Sequence, residues 1–152
     1  MRLPKFFTKF LFNWLVKASK NKQTFRIGSE ESPYLIRYFM IPRNRFFNIY
    51  LHCFHRGDDD VNFHDHPWYS FSICLNGEYK EVDNRGIRSY SEGHVRFRSA
   101  KYAHQIQVEN KCWTLFMTGP LIRQWGFHCP KGWVFWRDYV DETGERKGKG
   151  GD

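Results

Sequence analysis

Two histidines one residue apart, His64 and His66, stand at the head of the run F-H-D-H-P-W-Y-S-F-S-I-C-L-N-G, residues 63–77. On a β-strand, residues i and i+2 point to the same face. Both imidazoles would then enter the same space from Cα atoms about 7 Å apart. That is a reach at which two side chains can share one metal ion. Pro67 and Asp65 oppose a helix here, because proline lacks a backbone donor and aspartate is a poor interior helix residue. Taken alone, the pair is equally readable as two solvated histidines in a loop.

The elements that must position these residues are strands. Aromatic residues make up 19% of the 152-residue chain, with 15 Phe, 8 Tyr and 6 Trp. Mean hydropathy is nevertheless −0.68. A polar chain that concentrates its burial in large rings suits a sheet-built core, and the length suits one domain. The net charge of +8 permits attraction to nucleic acid, anionic lipid or an anionic small molecule without choosing among them. Cys53, Cys74, Cys112 and Cys129 form no C-x-x-C pair, so a disulfide framework is not expected and a reducing cytoplasm is the default. No run of 18 apolar residues is present, so no spanning helix is expected.

Residues 1–22 read as a basic amphipathic helix beginning near Pro4. Phe6, Phe7, Phe10, Leu11, Trp14, Leu15 and Ala18 recur at helical spacing and lysines occupy much of the remainder. Packing against the domain or a second subunit, and peripheral contact with a membrane surface, are both open to such a helix. A signal peptide is disfavoured by Lys9, which interrupts the apolar region.

Residues 23–141 read as nine or ten short strands with turns between them. Residues 34–40 and 46–55 are strand-like runs around the turn Ile41-Pro42-Arg43-Asn44. Asp58-Asp59-Asp60 lacks the spacing and the closing Glu of a calcium loop and reads as a solvated turn. Asn76-Gly77, between alternating runs 70–75 and 78–82, predicts a hairpin. Strands are further expected over 87–90, 94–98, 105–108, 112–118, 121–129 and 133–140. Residues 142–152 form a Gly/Lys-rich tail expected to be disordered. Many short strands without βαβ alternation argue an all-β sandwich or barrel.

At this point the residues resemble the cupin superfamily, small double-stranded jelly rolls. The family's first motif is G-x5-H-x-H-x3,4-E-x6-G. Here His64 and His66 are followed by three residues, Ser70, six residues and Gly77, with Gly57 one residue further upstream than the pattern asks. The second motif is G-x5-P-x-G-x2-H-x3-N. Gly93 and His104 keep its spacing, while Ser99, Lys101 and Val108 replace Pro, Gly and Asn. The resemblance implies a cupin jelly roll in which His64, His66 and His104 converge on a metal. Three neutral imidazoles suit zinc, iron, nickel, copper or manganese and do not suit calcium or magnesium; the resemblance puts iron first, with zinc, manganese or nickel as alternatives. Three protein ligands would leave positions open for water, substrate or oxygen.

The departure at Ser70, where the family places its glutamate, decides the chemistry. Within the family, a three-histidine site without the acid resembles the thiol dioxygenases, which hold Fe(II). Trp68, Ser72 and Cys74 share strand phase with the site and are candidate pocket residues; a buried core position is the competing reading of Cys74. Arg98 and Arg123 are candidates to hold an acidic group, as Arg56 and Arg96 also could be. His52, His55, His94 and His128 read as structural or surface histidines. The aromatic block 123–139 reads as a core cover, a subunit contact or a cavity wall. It resembles the C-terminal part of small cupin-like proteins of bacteria and phages.

The leading expectation is a metal-binding cupin acting on a small, anionic molecule, with Fe(II) dioxygenase chemistry first. A Zn- or Mn-dependent isomerase or hydrolase and a non-catalytic regulatory cupin are the alternatives. A homodimer is the family habit. Nucleic-acid binding is not expected, because much of the basic charge sits in the terminal segments.

Overall fold

The computed structural model describes residues 1–57 and 60–139. The tail expected to be disordered, and Asp58 and Asp59 of the acidic turn, lie outside the described residues. Among the described residues one helix, α1 (Lys5–Ser19), precedes twelve strands, where nine or ten were expected. The strands β1 (Thr24–Gly28), β2 (Pro33–Phe39), β3 (Asn48–Phe54), β5 (Ser70–Asn76), β8 (Val95–Arg98) and β10 (Cys112–Thr118) form one antiparallel sheet in the order β1-β2-β3-β10-β5-β8. Opposite it lie two three-stranded sheets. One is β7 (Gly86–Ser91), β6 (Glu78–Asp83) and β9 (Gln105–Gln107); the other is β12 (Gly132–Phe135), β11 (Gly126–Cys129) and β4 (Phe63–His64). A bridge between His64 and His104 joins the two small sheets edge to edge. The result is the expected jelly roll, with a histidine pair at the seam of its second layer.

The large sheet separates two kinds of packing. Period-2 alternation sends Leu51 of β3, Ile73 and Leu75 of β5, and Leu115 of β10 to the outer face. There they bury against Leu15 of α1, with Leu11, Phe12 and Val16 around it. Packing against the domain therefore accounts for one face of the helix. The inner face carries a second apolar cluster at one end, built from Leu35, Phe54, Cys74, Tyr79, Tyr90, Ile106, Val108 and Cys112. The other end of the interior is polar and contains the histidines.

The predicted Asn76-Gly77 hairpin is not formed. β5 pairs with β10 and β8, whereas β6 pairs with β7 and β9, so this turn carries the chain from one layer to the other. Gly77 has φ +84°, and a Cβ there would lie 2.7 Å from the carbonyl oxygen of Lys111. The turn chemistry was read correctly, but strand pairing is set by burial of the two layers against each other. Gly93, at φ +84°, is required in the same way: residues 1–3 run beside it, and a Cβ would meet the Leu3 carbonyl at 2.6 Å. Strand signals at 121–125 did not produce a strand, and only 126–129 pair.

Candidate metal centre

Two elementary rules bring the three histidines together. His64 and His104 are a directly opposed antiparallel pair that exchanges both backbone hydrogen bonds, at 3.0 and 3.1 Å, so their side chains share a face. His66 follows His64 by two residues, and its N–H donates to the Ala100 carbonyl at 3.1 Å. Ring centroids lie 5.1 Å apart for His64–His66, 5.2 Å for His64–His104 and 5.1 Å for His66–His104. One nitrogen from each ring lies within 4.8 Å of the others. Three nitrogens this close could be drawn onto one transition-metal ion, whose bonds to imidazole are about 2.1 Å long.

The protonation states fit a metal site. Burial, foremost, pushes His66 well below the usual histidine range, with further lowering from His64, Arg98, Arg37 and Arg123. Burial likewise pushes His104 well down, assisted by His66, His64 and Arg98. The neutral imidazole is the form that ligates. His104 Nδ1 lies 3.3 Å from the Tyr102 carbonyl, which can only accept, so Nδ1 carries the proton and Nε2 offers its lone pair. His66 stacks on Trp68 at 4.6 Å with 10° between planes, and Trp125 and Phe127 lie against His64. The donor set therefore fits a transition metal.

Asp65, between the two histidines, points the other way and is 1% exposed. Its carboxylate accepts from Gly126 N at 2.9 Å, Arg123 at 2.9 Å, Trp133 Nε1 at 3.0 Å and His128 at 3.1 Å. Together with the Phe127–His64 pairing of β11 and β4, this clamps the C-terminal aromatic block beside the histidines. That block thus walls the site from its edge.

The other candidate residues divide. Trp68 lies at the site, stacked on His66, whereas Ser72 accepts from Arg98 at 2.8 Å. The Ser70 hydroxyl is buried opposite Thr118, and neither hydroxyl has a hydrogen-bond partner among the described residues. Cys74 belongs to the apolar end, its sulfur 3.8 Å from that of Cys112. Arg98 is engaged by Glu81 at 2.5 Å and by Tyr79 at 2.9 Å. Arg123 binds Asp65 and the carbonyls of His66 and Ala100. Both arginines hold the architecture around the site.

Sequence reasoning missed two residues here, Glu81 and Arg37. Glu81 is completely buried, bonded to Arg98 and Arg96, and its Oε1 lies 3.8 Å from His104 Nε2. Arg37 donates to His52 Nε2 at 3.1 Å in the interior. Burial, then Arg37, pushes His52 well below its ordinary range. The one available signal for Glu81 was its phase with Tyr79 in the alternating run 78–82.

No protein-family model matches this sequence, and neither does any curated protein sequence. Solved structures do match. DMSP lyase DddQ from Ruegeria pomeroyi DSS-3 is similar at TM-score 0.61 and 17% identity, over 79% of this chain and 68% of that one. An RmlC-like cupin from Shewanella frigidimarina NCIMB 400 is similar at TM-score 0.54 and 16% identity, over 66% and 86%. FeII HppE is similar at TM-score 0.54 and 11% identity, over 64% of this chain and 56% of that one. This chain thus has the cupin fold, with a three-histidine cluster in its interior.

Proposed function

We propose that the protein is a metal-dependent enzyme acting on a small anionic molecule, with an Fe(II) dioxygenase as the first reading. The observation that carries it is the convergence of His64, His66 and His104 as neutral ligands in the barrel interior. A bound metal would supply Lewis acidity and a site for substrate or oxygen. The chain's own groups do the rest. The Tyr102 carbonyl fixes the His104 tautomer, Trp68 fixes the His66 ring, and the Asp65 clamp holds the aromatic wall that limits water. The net charge of +8, with Arg98, Arg37 and Arg123 near His66, supports a substrate of negative charge. Four free cysteines support a reducing compartment, which we take to be the cytoplasm.

Metal analysis of purified protein, with oxygen uptake measured on thiol acids, tests this. One bound transition metal per chain, lost in His104→Ala, is the expected result. Metal content unchanged by that substitution would sink the reading. Turnover without oxygen consumption would shift it to the second reading, a Zn- or Mn-dependent lyase, isomerase or hydrolase. The buried Glu81 carboxylate beside His104 favours that alternative, since the first reading rests on a three-histidine site without an acid. Metal binding with no turnover would leave a regulatory binding protein.

A further inference from the structure

We propose that Glu81 supplies the carboxylate of the metal centre, replacing from β6 the acid that is absent at position 70. The proposal rests on the metal reading above. Oε1 of Glu81 lies 3.8 Å from His104 Nε2, and two ligands of one ion at ~2.1 Å stand about 3 to 4 Å apart. Glu81 pairs with Ile106 across β6 and β9, two residues beyond His104, so it shares that histidine's face of the sheet.

The surrounding charge calls for such a group. Three neutral imidazoles leave the ion's charge uncompensated beside Arg98 and Arg96, and a dication there is disfavoured without an anion. Besides Glu81, the buried acids among the described residues are Asp65 and Asp83. Asp65 points away from the histidines and is occupied by four donors, and Asp83 is held by Arg88 and Tyr102.

Position 70 shows the exchange. Ser70 lies opposite Arg98 in the β5–β8 register, and its small hydroxyl makes no hydrogen bond among the described residues. Arg98 reaches past it to Glu81. A structural counter-ion for Arg98 is the competing role of Glu81, and it requires no particular distance to His104.

Cobalt(II) titration of metal-free protein, followed by visible absorption, separates these roles. Wild type should bind one Co(II) and His64→Ala none. Glu81→Gln, which keeps its shape, should weaken binding by about 10- to 100-fold and shift the absorption band. Adding Ser70→Glu to that variant should restore affinity. Glu81→Asp keeps the charge facing Arg98 and guards against loss of fold, checked by circular dichroism. It should still alter the band. Wild-type affinity and spectrum in both position-81 variants would overturn the proposal while leaving the metal site standing. A wild type that binds no Co(II) would overturn both.

A separate observation concerns α1. With Leu15 buried against the sheet, the opposite face leaves Phe6, Phe10 and Trp14 79%, 69% and 57% exposed. Lys9, Lys17 and Lys20 are exposed beside them, and residues 1–22 contain no acid. We infer that this face binds an anionic bilayer surface, since rings among lysines suit the headgroup boundary. Flotation with phosphatidylglycerol vesicles should carry the full-length protein, and Phe10→Ser/Trp14→Ser should abolish it. Loss of binding in high salt and its absence on phosphatidylcholine vesicles are expected too. Failure to float would overturn the inference, as would a wild-type dimer that the double variant splits.

Discussion

Leu51 and His52 are neighbours in β3 and face opposite worlds. Outward, Leu51 joins Ile73, Leu75 and Leu115 beneath the helix. Inward, His52 lies in the layer that holds Arg37, Ser70, Ser72, Thr114, Thr118 and Arg98, all buried. The outer face stabilises by removing apolar area from water. The inner face buries charge and hydroxyls, which costs free energy unless partners are supplied. The outer face thus only packs, while the inner face gathers its buried polar groups at the end that holds the histidines.

The largest test breaks the polar side. Arg98→Met leaves Glu81 without its buried partner and should cost about 3–5 kcal/mol in urea unfolding of the metal-free protein. Leu51→Ala on the outer face should cost about 3 kcal/mol by leaving a cavity, with metal stoichiometry unchanged. If that variant lost metal, the division of labour would fail.

Acid titration sharpens the contrast further. His52 is held neutral in the folded chain, below its unfolded value of about 6.5, so the unfolded chain binds more protons in that interval. Stability should therefore fall as pH drops below about 6.5, by up to ~1.4 kcal/mol per pH unit from this residue. His52→Gln should remove its share, seen as a flatter dependence of the urea midpoint on pH. The smallest effect is Ser70→Ala. Deleting a buried hydroxyl that lacks a partner among the described residues should be neutral or stabilise by about 1 kcal/mol. A clear loss of stability would mean that this face also serves packing.

The strands that carry this division were readable in the chain. Runs 46–55 and 112–118 were legible as strands without their two faces, and the Gly-spaced histidines marked the cupin frame. The helix was legible as amphipathic, although its spacing did not tell which apolar positions would be buried. Leu11 and Leu15 pack; Phe6, Phe10 and Trp14 do not. Asn76-Gly77 was legible as a turn and misread as a hairpin, because local turn chemistry carries no information about which layer the next strand joins. Arg98 and Arg123 were legible as cations, but their carboxylate partners lie 17 and 58 positions away in sequence.

The sequence by itself determined the strand-rich class, the front helix and the pairing of His64 with His66, because these follow from periods of two and 3.6 residues. It also marked His104 through its spacing from Gly93. Only the tertiary structure decided that His64 and His104 oppose each other across a seam, that Asp65 fastens the aromatic block, and that Glu81 stands beside the histidines. Each of these joins strands distant in the chain, and such contacts are fixed by the burial of two layers against each other rather than by any local preference.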